Sequence, residues 1–140
     1  MRRKRMTVAT IALALAAACS SGCEPTSSPS PSNSVVRPAS TAKISIDSPT
    51  AGETVPTSGV TVKVSLEGAT IVKQASTNLQ PDEGHVHLLV DAKTITQTGD
   101  LEVPTGPLPP GPHLIEVEFS ANDHGPFNQR VLAQVTVRAA

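Results

Sequence analysis

The feature that most constrains this chain is a strict two-residue alternation of apolar and polar side chains, clearest at Val60, Val62, Val64 and Leu66 with Thr61, Lys63 and Ser65 between them. Successive side chains of a strand point to opposite faces, so this rhythm builds a strand with one buried face and one polar face. It recurs in Val86, Leu88 and Val90; in Ile115, Val117 and Phe119 against Glu116 and Glu118; and in Val131, Ala133, Val135 and Val137 against Gln134, Thr136 and Arg138. Ile44 and Ile46 open the series. Clusters such as SPTAGE, QPDEG, PTGPLPPGP and NDHGPF punctuate it with the glycine, proline and Asx residues that turns need. Beyond the first residues no segment keeps a 3.6-residue apolar period, so a helical core is excluded.

Seven strands emerge from this pattern: KISID, VTVKVSL, HVHLLVD, TITQ, LEVP, HLIEVEF and VLAQVTV. Short strands with frequent turns in about one hundred residues match an immunoglobulin-like antiparallel β-sandwich, so the expected fold is all-β with about seven strands over residues 43–140. The chain has no tryptophan or tyrosine. Its core must therefore rest on aliphatic side chains together with Phe119 and Phe127.

Ahead of this domain, Arg2, Arg3, Lys4 and Arg5 precede an apolar run from Met6 to Ala18. That run is shorter than the roughly 20 apolar residues a membrane-spanning helix needs, and a basic start with small residues behind it reads as an export signal. The stretch LAAACSSGC resembles the lipobox of bacterial lipoproteins, in which lipid is attached to a cysteine thiol before cleavage on its N-terminal side. Leu15 and the apolar run end against Cys19, which makes residues 1–18 the expected signal peptide and Cys19 the expected lipidated residue; Cys23 is the alternative. The resemblance implies an acylated protein anchored to the membrane and facing its extracytoplasmic side. From Glu24 to Ala42 serine, proline and threonine dominate, so residues 19–42 read as the lipidated cysteine and a disordered tether. Cutting the chain back to Lys43 is then expected to leave the melting temperature unchanged.

Charge and cysteine usage narrow the partners. Four of the eleven basic residues and none of the twelve acidic ones lie in the first eighteen positions, so the rest of the chain is net negative by five. A net-negative domain without a basic cluster lacks the footprint that phosphate backbones require, which excludes nucleic acid. Both cysteines lie at the signal boundary, so the domain holds no disulfide. Leu89, Leu114 and Leu132 fall on the outward side of the alternation, where an apolar patch would serve contact with an envelope protein.

All four histidines lie in the C-terminal half: His85 and His87 in GHVHLLVD, His113 in LPPGPHLIEV and His124 in NDHGPF. Together these phrases resemble a family of exported bacterial domains of unknown function that read GHxHLLVD, then LPPGxHxLxV, then a loop containing DH. The resemblance spans residues 43–139 and implies a secreted or periplasmic β-sandwich with no established activity; Val86 stands where the family often has a third histidine. Antiparallel pairing of the third and sixth strands brings His85 and His87 beside the loop of Asn122, Asp123 and His124. His113 begins the sixth strand, about 26 Å from that loop, and cannot share its coordination shell.

Imidazoles with a carboxylate suit zinc or copper, which makes His85, His87, Asp123 and His124 the candidate metal ligands. The simpler reading needs no cofactor: the paired histidines are outward strand residues, and His124 belongs to a turn begun by Asp123. No serine or cysteine nucleophile and no glycine-rich phosphate loop stands in a recognisable setting, so no enzyme is expected. The leading expectation is a lipid-anchored structural or interaction module of the cell envelope, with a metal-binding envelope protein as the alternative.

Overall fold

A computed structural model describes residues 35–140. The expected signal peptide, Cys19, Cys23 and most of the expected tether lie outside the described residues. Nine strands run in the order β1 Lys43–Ser48, β2 Thr54–Val55, β3 Thr61–Glu67, β4 Thr70–Ile71, β5 Glu83–Val90, β6 Lys93–Thr98, β7 Glu102–Pro104, β8 Gly111–Ala121 and β9 Val131–Ala139. The seven strands read from the sequence are all among them. The two additions, β2 and β4, are two residues each and pair in parallel with β9 and β5, so the sheets are not purely antiparallel. Two residues are too few to show any period.

Strands β1, β3 and β7 form one sheet, and the other runs β2-β9-β8-β5, with β4 and then β6 completing the free side of β5. Inward residues from both sheets form one apolar layer, including Val62 and Val64 of β3, Val103 of β7, Leu88 and Val90 of β5, Ile115 and Val117 of β8, and Val135 and Val137 of β9. The architecture is thus an immunoglobulin-like β-sandwich. A second cluster closes one end, where Phe119 stacks on Phe127 at 5.5 Å between ring centres beside Val86 and Ala121. Phe127 fastens the β8–β9 loop to this end of the core.

Strand β5 is buried on both faces over most of its length, because a covering layer lies on the side the alternation marks as outward. The β8–β9 loop is one part of it. The other is the segment after β4, joined to the sheet where the Val72 N–H donates to the Gly84 carbonyl and the Ser76 N–H to the Asn122 carbonyl. Gly84 is required here: a Cβ would collide with the backbone carbonyl of Ser120 and crowd Phe119.

The folded unit begins before Lys43. Asn128 donates its N–H to the Pro38 carbonyl, the Ser40 hydroxyl donates to the Pro81 carbonyl, and the Thr41 hydroxyl donates to the Gly68 carbonyl. Ala42 packs on the phenylalanine cluster. Residues 37–42, read from composition as tether, are the first part of the domain, since their polar side chains and carbonyls meet partners that are remote in sequence.

Candidate functional site: a histidine cluster at one end of the sandwich

Antiparallel pairing of β5 with β8 sets His85 opposite Ser120 and His87 opposite Glu118. Both histidines are therefore on the face away from the main core, one strand-width from the end of β8. Immediately beyond β8 the chain reverses. The His124 N–H donates to the Ala121 carbonyl, the Ala121 N–H to the Gly125 carbonyl, and Asp123 Oδ1 accepts the Gly125 N–H at 3.0 Å. This Asx-type turn holds His124 at a φ of 63° and sets its ring over the histidine pair.

The three rings meet. His85 and His124 stack with centres 4.3 Å apart, and His87 and His124 with centres 5.4 Å apart. His87 Nε2 lies 3.2 Å from His124 Nδ1, while the Ser120 hydroxyl lies 3.3 Å from His87 Nδ1. His85 and His87 are 5 % and 7 % exposed. The expectation that they are outward, solvated strand residues is thus overturned, because the loop carrying His124 covers them. Burial, reinforced by the neighbouring His124, pushes both below the usual imidazole range. Both are therefore neutral near pH 7 and hold lone pairs.

Asp123 does not join them. Its Oδ1 accepts from Arg37 Nη1 at 2.6 Å, and this guanidinium holds the carboxyl below its usual range. Glu118 lies opposite His87 but is held by Arg130, whose Nε and Nη2 reach its two oxygens at 2.8 and 2.6 Å. Both of these carboxylates are therefore paired with arginines, while Glu83 Oε2, two residues before His85 on β5, accepts from Asn122 Nδ2 at 3.3 Å. Composition could not reveal Arg37 as a site residue, because its partner is 86 positions away.

His113 stands at the opposite end, as its place at the start of β8 required. A two-residue turn at Asp91 and Ala92, both with positive φ, joins β5 to β6 and presents the Asp91 carboxylate. His113 Nδ1 lies 2.7 Å from Asp91 Oδ2, and Nε2 lies 2.7 Å from the Pro109 carbonyl. With an acceptor at each nitrogen, the ring is best satisfied as a doubly donating imidazolium. The Pro109 carbonyl first and Asp91 second raise its pKa above the usual value. Lys93 is the other charged group lining this hollow.

A pKa raised on folding adds stability that is fully present below the unfolded value of about 6.5 and is lost as pH rises through the folded value. Replacing His113 with alanine should therefore cost more stability at about pH 6 than at about pH 9, as read by urea unfolding at the two pH values. A cost independent of pH would show that the ring is neutral throughout.

The outward leucines do not make one patch. Leu114 and Leu132 are exposed at opposite ends of the β8–β9 pair, the hydrogen-bonded Glu116 and Gln134 lie between them, and Arg130 reaches from beyond Leu132 to Glu116 and Glu118.

No protein-family model matches the sequence, and no curated protein is similar enough to count as a relative. Among solved structures, the fibronectin(III)-like modules of Clostridium thermocellum CbhA are similar at 16 % identity with a TM-score of 0.48, covering 69 % of this chain and 93 % of that one. An engineered protein is similar at 18 % identity with a TM-score of 0.45, covering 71 % of this chain and 20 % of that one.

Proposed function

We propose that the chain is a lipid-anchored module of the bacterial cell envelope, in which the sandwich stands on the extracytoplasmic side and serves a structural or interaction role. The observation that carries this reading is the N-terminal order of basic residues, a short apolar run and Cys19. A diacylglyceryl group supplies two acyl chains, enough for stable attachment where one is marginal. With the folded unit beginning at Arg37, the seventeen residues between Cys19 and Arg37 form the spacer. The polar band across β8 and β9 supports contacts made through charge and hydrogen bonds, rather than through a single apolar surface.

Metabolic labelling with a palmitate analogue, followed by membrane fractionation, tests the anchor. Wild-type chain should take up label and sediment with membranes, and Cys23→Ser should behave the same. Cys19→Ser should lose the label and leave the membrane fraction or remain unprocessed. Loss of label only on Cys23→Ser would move the anchor to that residue, and no label in any form would remove the reading.

A further inference from the structure

The histidine end contains two buried polar atoms without a hydrogen-bond partner among the described residues, His85 Nε2 and Asn122 Oδ1. More than roughly nine-tenths of such groups are paired in folded proteins, so an orphaned ring nitrogen beside two more imidazoles marks a place for a ligand. The carbonyls of Asn122 and Val72 approach the His85 ring, yet Nε2 itself has nothing to bond. At the same place, the 3.2 Å between His87 Nε2 and His124 Nδ1 is close to the edge of a tetrahedron of nitrogens. Nitrogens about 2.0 Å from a central ion stand roughly 3.3 Å apart.

We propose that His87 Nε2 and His124 Nδ1, completed by His85 Nε2, form a mononuclear site for a d10 ion, Zn2+ or Cu+. The rings are stacked rather than splayed, with His85 and His124 only 15° from parallel, and among the described residues no three donors already surround one point. The proposed site therefore requires the His85 side chain to rotate, so that its free nitrogen meets the edge that His87 and His124 define. Ser120 serves as the outer partner: by accepting a hydrogen bond from the His87 Nδ1–H it leaves the Nε2 lone pair turned toward His124.

The carboxylates decide the class of ion. Arg37 holds Asp123, Arg130 holds Glu118 and Glu83 Oε2 accepts from Asn122 Nδ2, so the proposed donor set is three imidazole nitrogens. That set suits zinc and copper and gives hard ions such as Mg2+ little to bind. The site differs from the one the sequence marks in losing Asp123 as a ligand.

The test uses the full chain with Cys19→Ser and Cys23→Ser, so that no thiol competes, and it is independent of lipid anchoring. Equilibrium dialysis against Zn2+ alone, Cu+ alone under reducing anaerobic conditions, and Mg2+ alone is read near neutral pH. The expected result is one equivalent of Zn2+ or Cu+ at micromolar concentration and none of Mg2+. Loss of an outer-shell partner costs about 10- to 100-fold in affinity, so His87→Gln should cost roughly 100-fold or more. His124→Asn should cost as much, and asparagine tolerates the positive φ at that position. His85→Gln should weaken binding at least about tenfold, whereas His113→Ala should leave it unchanged.

A second measurement requires no variant: adding the ion should shift the ring proton resonances of His85, His87 and His124 and leave those of His113 in place. No uptake of either d10 ion, uptake that survives His87→Gln, or a shift confined to His113 would each overturn the proposal.

Discussion

Phe119→Ala should lower the unfolding free energy by about 3–5 kcal/mol, the cost of deleting a fully buried aromatic ring. The side chain is completely inaccessible, stacked on Phe127, and flanked across the sheet by Val86 and Val131. A domain of this size has only about 5–15 kcal/mol in total, so the variant should sit near the edge of folding at physiological temperature. The loss should also reach the other side of the sheet. Phe127 loses its stacking partner, and with it the anchor of the loop that carries His124. Urea unfolding monitored by far-ultraviolet circular dichroism gives the magnitude; a cost below about 1 kcal/mol would place the ring outside the core.

The second large effect comes from the chain's N-terminal side. Removing residues up to Ala42 takes away the Arg37–Asp123 ion pair, the hydrogen bonds to Pro81, Gly68 and Asn128, and the contact of Ala42 with the phenylalanine cluster. Each hydrogen bond contributes about 0.5–1.5 kcal/mol net, partly offset by the entropy of ordering the segment, so a loss of about 2 kcal/mol is expected. At roughly 4–8 °C per kcal/mol, a chain starting at Lys43 should melt about 10 °C below one starting at Val35. Equal melting temperatures would return these residues to the tether.

That segment also marks how far the sequence could be read. Wherever one face of a strand is buried, the two-residue period is visible, which is why β3, β5, β8 and β9 and their inward residues could be identified by inspection. The pairing of β5 with β8 then came from topology and correctly separated His113 from the other three histidines. Composition failed where burial comes from partners remote in the chain. Residues 37–42 look like linker because serine, threonine and proline dominate, yet their bonds go to residues 68, 81 and 128.

The same limit hid the covering layer over β5. His85 and His87 alternate with the core residues and so read as wet, but a loop and the segment after β4 bury that face too. Asp123 read as a ligand because it adjoins His124; Arg37, far off in sequence, claims its carboxylate. Leu89, Leu114 and Leu132 share a side of the alternation, yet register places Glu116 and Gln134 between Leu114 and Leu132.

One register, β5 against β8, divides the histidines into a stacked group at one end and an ion-paired residue at the other. Proton NMR of the imidazole Cε1 hydrogens, tracked through a pH titration of the metal-free chain, tests it in one experiment. His85 and His87 should titrate below about 6.5 because burial opposes their charge, and His113 should titrate above it because Pro109 and Asp91 hold its proton. If the resonances of His85, His87 and His113 titrated together near 6.5, these histidines would share one solvated environment, and the register and both ends built on it would be contradicted.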